Sequence, residues 1–93
     1  MMETAIRFTD AQEMAQSYPD TFEAPSYEEL NKLDIGMMVK VCINDTERLW
    51  VTITDIGNNE ITGVVDNDPV LVPLKYLQEI KFEKRHIYSI WED

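Results

Sequence analysis

The sequence predicts an α+β fold in which two short N-terminal helices pack on a small, strongly bent antiparallel sheet of five or six strands. Helix-type spacing of apolar residues is confined to residues 8–33, whereas residues 36–91 alternate apolar and polar residues as half-buried strands do. The length of 93 residues fits one small domain covering residues 1–93. We therefore expect a single hydrophobic core shared by both regions.

Two local start signals predict the helices. A capping box at residues 9–12 precedes apolar residues spaced i, i+3, i+4 and i+7, and Pro19 should end this helix. A second capping box at residues 26–29 opens a shorter helix that ends before Gly36. Because neither helix is long enough to be stable alone in water, their apolar stripes must pack on the remaining chain.

Alternation of apolar and polar residues predicts the strands. They are residues 37–43, 47–56, 61–65, 79–83 and 87–91, with a short candidate at 70–72 that Pro73 interrupts. The turn signals at residues 44–46 and 57–59 make the first three strands an antiparallel meander. Gly63 indicates a bulge or bend within its strand, so we expect the sheet to curl into a closed, SH3-like β-barrel.

Residues 33–41 and 74–82 share one pattern, in which a Leu and a turn precede an apolar-Lys-apolar triplet. Nothing else in the two halves matches, so the pattern predicts two similar turns that each lead into a strand, and not a duplicated unit.

Several short segments between residues 33 and 90 form a moderately specific combination. The segments are Gly36, Val-Lys-Val at 39–41, Glu-Arg-Leu-Trp-Val at 47–51, Ile56, Ile-Thr-Gly at 61–63, the Asp-Asn-Asp-Pro turn at 66–69 and Ile-Lys-Phe at 80–82. This combination resembles the YegJ-like domains, a bacterial family of small domains of unknown function. The resemblance covers about two thirds of the chain and implies a similar fold, but it supplies no activity, cofactor or site residue. The chain departs from the family at the turns that lead into its strands, where Met37 and the pair at 77–78 replace the usual Gly-Asp.

The charge narrows the classes of partner. Eighteen Asp and Glu against eight Lys and Arg give a formal charge of −10, which repels nucleic-acid backbones and anionic lipids and attracts basic protein surfaces. The lone Cys42, the absence of a cationic leader at the start and the lack of a long apolar run predict a soluble, cytoplasmic protein. Ordinary solubility is the alternative explanation of the charge.

The acidic residues concentrate in the helical part. Residues 1–36 carry eight carboxylates against two cations, a net charge of −6, which leaves −4 for the much longer remainder. This asymmetry predicts a non-catalytic interaction module that binds a protein with a basic surface, such as an inhibitor or immunity-type protein acting on a nucleic-acid-binding partner. The candidate partner-binding residues are Asp20, Glu23, Glu28, Glu29 and Trp50.

Trp50 has two possible environments. Trp50 is expected on the face of its strand opposite to the inward-facing Leu49 and Val51. Either the helix carrying Met14 and Tyr18 covers it there, or it is exposed as a binding platform. Covering is the expected state, because both apolar surfaces need a partner.

An alternative function is a barrel that binds a small ligand or a single-stranded oligonucleotide. Cations next to aromatic residues near the end of the chain suggest it, because bases stack on aromatic rings beside such cations. The residues are Phe82, Lys84, Arg85, Tyr88 and Trp91. Neighbouring carboxylates at residues 79, 83, 92 and 93 cancel this charge locally, so direct nucleic-acid binding is not expected.

The side chains that carry out catalysis are sparse in the sequence. Cys42 lies between apolar strand residues as a small filler, and His86 should be an ordinary surface residue without a nucleophile on its own face of the strand. The acidic turn at 66–68 lacks the glycine and further ligands of a calcium loop. We therefore expect no enzyme activity, no cofactor and no metal, and we leave the oligomeric state open.

Overall fold

The computed structural model describes residues 6–92. The helices are α1, Ala11–Ser17, and α2, Tyr27–Leu30. The strands are β1, Met38–Ile43; β2, Glu47–Ile56; β3, Ile61–Val65; β4, Glu79–Phe82; and β5, Ile87–Ile90, with a 3-10 helix at Lys84–His86 directly before β5. None of the helices in residues 6–92 has the length and apolar character needed to cross a lipid bilayer.

The five strands form one antiparallel sheet in the order β4-β3-β2-β1-β5. The central register pairs Val39 with Val51 and Val51 with Val65, so the predicted meander is confirmed. Within the described residues β4 and β5 are the two end strands and do not pair, so the sheet is not closed. The predicted closed barrel is therefore wrong, while the α+β class with a small antiparallel sheet is confirmed.

The core lies on one face of the sheet, as the alternation predicts. Successive residues of β1 alternate between half-buried and buried, and β3 does the same. The core cluster also takes Leu30 from α2 and Val72 and Leu74 from the segment before β4. Burying each such aliphatic side chain contributes about 1.5–3 kcal/mol relative to leaving it exposed, so the short helix α2 is held by packing.

The predicted bend at Gly63 is present. The pairing of β2 with β3 shifts register after the Ile53–Gly63 pair, because β2 contributes one residue more than β3 at this point. A Cβ atom on Gly63 would overlap Cγ1 of Val51 and lie 2.8 Å from the carbonyl oxygen of Thr52. Glycine is needed here because the two backbones approach too closely for any side chain.

The two predicted turns that lead into strands have the same local geometry. Gly36 has a φ of 94° and donates its N–H to the carbonyl of Ile53, and Leu77 has a φ of 66° and donates to the carbonyl of Val65. In each of these turns the next N–H along the chain donates to the carbonyl three residues before it. The second turn therefore forms without glycine, at the cost of placing a leucine in the left-handed region.

The predicted strand at residues 70–72 is wrong, because this segment is irregular. The carboxylate of Glu47 accepts hydrogen bonds from the N–H groups of Val70, Leu71 and Val72 at 2.8, 2.7 and 3.1 Å. These are the donors that a strand would offer to its neighbour, and Pro73, which lacks an N–H, follows them. Glu47 thus fixes the segment as a turn beside the start of β2.

The helix end before Pro19 and the helix start after residue 26 are as predicted, and residues 18–26 between α1 and α2 are not helix; α2 ends at Leu30, earlier than the predicted end before Gly36. The first cap is also shifted by one residue, since Asp10 accepts from the N–H of Glu13 in place of the expected Thr9 cap. The second capping box forms as predicted, between Ser26 and Glu29. Helix α1 packs beside the 3-10 helix.

Candidate functional site

A groove of about 590 Å³ lies between the 20–29 segment and strand β5. One wall is formed by β5 and its neighbours, and the other by the connection from α1 into α2. Its lining residues are Asp20, Thr21, Glu23, Ala24, Pro25, Glu29, Lys40, Tyr88, Ser89, Ile90 and Glu92. This volume is within the range of about 300–1,000 Å³ that ligand-binding clefts occupy.

Local contacts hold the 20–29 wall in place. Thr21 and Phe22 donate their N–H groups to the carbonyl of Tyr18, which turns the chain at the end of α1. The ring of Phe22 then packs edge-to-face on Tyr88 of β5, with ring centroids 4.6 Å apart. The buried Pro25 accepts a hydrogen bond from the Gln12 side chain at 2.8 Å. The wall is therefore anchored to both α1 and β5.

The groove is electronegative. Four carboxylates line it, from Asp20, Glu23, Glu29 and Glu92, and Lys40 is the one cationic residue of the lining. In residues 6–92 none of these four carboxylates forms an ion pair. The Glu29 carboxylate accepts from the backbone N–H and the hydroxyl of Ser26, so the capping box fixes its position at the groove.

Three of the predicted partner-binding residues, Asp20, Glu23 and Glu29, therefore meet at one groove. Glu28 is exposed on α2 but does not line it. The sequence reasoning did not include Glu92 and Lys40, because their approach to the 20–29 segment depends on how β5 and β1 sit in the sheet.

Trp50 is half-buried on the face of the sheet opposite the core. Its ring packs edge-to-face on Trp91 at a centroid distance of 5.2 Å, and the Nζ of Lys40 lies 4.8 Å from its ring centroid. The expected cover by the helix carrying Met14 and Tyr18 is wrong, because these two contacts cover the ring and α1 packs on the 3-10 helix. Trp50 thus lies next to the groove through Lys40.

The residues of the alternative ligand-binding set are separated in the fold. Phe82 is buried in the core with 2% of its surface exposed, so its ring cannot stack on a base. Tyr88 lines the acidic groove, whereas Lys84 and Arg85 line two smaller cavities beside Tyr27, of about 260 and 360 Å³. Trp91 is half-exposed and packs on Trp50.

Arg85 is held by two carboxylates. Its guanidinium lies 2.9 Å from Oδ2 of Asp10 and 3.2 Å from Oε1 of Glu83. These contacts raise the pKa of Arg85, and the hydrogen bond from Arg85 lowers the pKa of Glu83. Burial alone would raise the pKa of Asp10, but the hydrogen bonds from the Glu13 N–H and from Arg85 outweigh it and lower that pKa. Arg85 therefore ties the start of α1 to the 3-10 helix.

The prediction that His86 is a surface residue is wrong. It belongs to the 3-10 helix, has 8% of its surface exposed and stacks on Phe8 at a centroid distance of 5.4 Å. Its Nδ1 accepts from the N–H of Glu83 at 3.0 Å, so this nitrogen carries no proton. Burial lowers the pKa of His86, and the neighbouring Arg85 lowers it further. The sequence places His86 in a run of charged residues, which concealed this burial.

Cys42 is half-buried on β1, on the side opposite the core. The residues that the structure describes include no group of three His, Cys, Asp or Glu side chains arranged to hold a metal ion. In the acidic turn, the Asn67 side chain accepts a short hydrogen bond from the N–H of Trp50, so this turn is attached to β2.

Comparison with known proteins finds no family model, no curated protein and no solved structure that matches the chain. The resemblance to YegJ-like domains therefore stays a prediction.

Proposed function

We propose that the protein is a non-catalytic interaction module that binds a basic segment of another protein in the acidic groove. The observation that carries this proposal is the convergence of four carboxylates around one groove, three from the 20–29 segment and one from Glu92, none of them in an ion pair among the described residues. A net charge of −10 on a chain of 93 residues also steers basic partners toward the protein. Proteins that hold nucleic acid present basic surfaces, so an inhibitor or immunity-type role is the setting we favour.

We also propose that the sheet has an SH3-like strand arrangement. The order β4-β3-β2-β1-β5, the bulge opposite Gly63 and the 3-10 helix directly before β5 support it. In such an arrangement the sheet curls while its end strands remain separate, which leaves the edge of β5 available beside the groove.

The function is tested with a fluorescent, acetylated and amidated heptapeptide in which Arg alternates with Val, at an ionic strength of 0.15 M. The groove variant combines Asp20→Asn, Glu23→Gln and Glu92→Gln, and leaves the capping residue Glu29 intact. Each exposed charge contributes about 0.2–1 kcal/mol, so three together should weaken peptide binding about tenfold.

A control variant removes the same three charges elsewhere, through Asp55→Asn, Asp68→Asn and Glu79→Gln. These residues are exposed and have no ion pair among the described residues. Their replacement should leave binding within twofold of the original protein. Equal weakening in both variants would show a non-specific charge effect and would contradict the proposed groove. A short oligothymidine should leave the tryptophan fluorescence unchanged.

A further inference from the structure

Strand β5 is an end strand of the sheet, and the acidic groove runs along it. In the described residues its one neighbouring strand is β1, so the backbone N–H and C=O groups on its other edge have no strand to pair with. Tyr88, Ser89 and Ile90, three of its four residues, line the groove. The groove therefore offers hydrogen-bonding backbone as well as carboxylates.

The two end strands differ in how they are protected. Strand β4 carries Glu79 and Lys81 within four residues, and Lys81 lies 4.0 Å from Glu60, so charged side chains protect its edge in the usual way. Strand β5 has the sequence Ile-Tyr-Ser-Ile and carries no charge. The charges that line the groove beside its edge are four carboxylates and one cation, Lys40, and the guanidinium of Arg48 lies 4.5 Å from the ring centroid of Tyr88.

We infer that the groove binds its partner by strand addition, in which an extended basic segment pairs with the free edge of β5. This inference rests on the proposed function and specifies the conformation of the partner. Side chains of an added strand point alternately to its two sides, so Lys or Arg at every second position would face the carboxylates of the 20–29 wall. A second copy of this chain is a poor occupant, because it would bring its own carboxylates to the same groove.

The expected segment is short. The pairing of β1 with β5 shifts register near Tyr88, and it is regular again at Ser89 and Ile90. Beyond them, Trp91 donates its N–H to the carbonyl of Met38, so the chain continues along β1 past the end of β5. Four strand residues span about 13 Å at about 3.3 Å each, so the partner needs roughly four to five extended residues.

The test compares the alternating Arg-Val heptapeptide with the same peptide carrying N-methyl groups on alternate backbone nitrogens. One peptide carries the methyl groups at its odd positions and a second carries them at its even positions. Because the N–H groups of alternate residues point to the same edge of a strand, only one of the two peptides has methyl groups on the edge that faces β5. Strand addition predicts at least tenfold weaker binding for that peptide and nearly unchanged binding for the other, because net charge and side chains are identical. Amide exchange of β5 should slow only when a competent peptide is bound.

The outcomes separate the inference from the function. If both N-methylated peptides bind like the parent while the groove variant still weakens binding, the acidic groove stands and strand addition is wrong. If the groove variant binds all peptides normally, the proposed function fails as well. If the protein without peptide is a dimer with protected β5 amides, the edge belongs to a second copy, and the inference is overturned.

Discussion

Replacing Glu47 with Gln should loosen the turn at residues 70–72. Oε2 of Glu47 accepts from Val70, and Oε1 accepts from both Leu71 and Val72. Glutamine has the same shape but one acceptor oxygen and one NH₂ donor. If its oxygen faces Leu71 and Val72, its NH₂ group opposes the N–H of Val70; in the other orientation two backbone donors lose their acceptor.

The expected loss of stability in Glu47→Gln follows from these hydrogen bonds. A hydrogen bond to a charged group is worth about 1.5–3 kcal/mol, and the exposure of Val70 and Leu71 places this case at the low end. Losing one bond and weakening two others should therefore reduce the free energy of unfolding by about 1–2 kcal/mol, measured by urea denaturation at pH 7. Amide exchange of Val70 should accelerate, because the orientation that keeps an acceptor for both Leu71 and Val72 leaves the Val70 N–H without one.

The effect should depend on pH in a defined direction. Hydrogen bonds from the N–H groups of Val70, Leu71 and Val72 lower the pKa of Glu47, although burial opposes them. Its contribution to stability is then fully present above the ordinary glutamate pKa, about 4.3, and is lost as the pH falls through the lower pKa of the folded state. The original protein and the variant should become equally stable in acid.

Glu79→Gln is the matched control, because it removes an exposed carboxylate of β4 that has no ion pair among the described residues. Its stability should change by less than about 0.5 kcal/mol. Equal urea midpoints for Glu47→Gln and the original protein at pH 7, together with unchanged exchange of the Val70 amide, would refute the reasoning.

Two further predictions concern strain and burial. Gly36→Ala should reduce the free energy of unfolding, measured in urea, by about 1–2 kcal/mol, because alanine would be placed in the left-handed region. Leu77→Gly should reduce it by less than about 0.5 kcal/mol or increase it, because glycine relieves the left-handed strain of the leucine. Equal losses of stability in the two variants would contradict the similarity of the two turns. Because burial lowers the pKa of His86, stability should be full above about pH 6.5 and fall as the pH drops toward the folded-state pKa. The urea midpoint of the original protein should be lower at pH 5.5 than at pH 7.5, and the decrease should be smaller in His86→Asn. An identical decrease in both proteins would exclude His86 as the cause.

Patterns that are short in sequence predicted much of the fold. The alternation in β2 and β3 placed both strands with the observed bounds, because a half-buried strand must alternate whatever its neighbours are. The Ser26–Glu29 capping box was also recognisable, since both partners lie within one helical turn. The candidate site was only partly predictable, because the acidity of the 20–29 segment is visible in the sequence but its position beside β5 is not.

The sequence by itself determined the starts of α2, β2 and β3, the bend at Gly63 and the strongly negative charge, because these depend on neighbouring residues and on composition. The tertiary structure decided that Glu47 holds residues 70–72, that Leu77 occupies a conformation suited to glycine, that His86 is buried and that Trp50 packs on Trp91. Most of these contacts join residues far apart in the chain, whose meeting depends on the order of strands in the sheet. The acidic groove likewise depends on the tertiary structure, because its two walls come from opposite ends of the sequence.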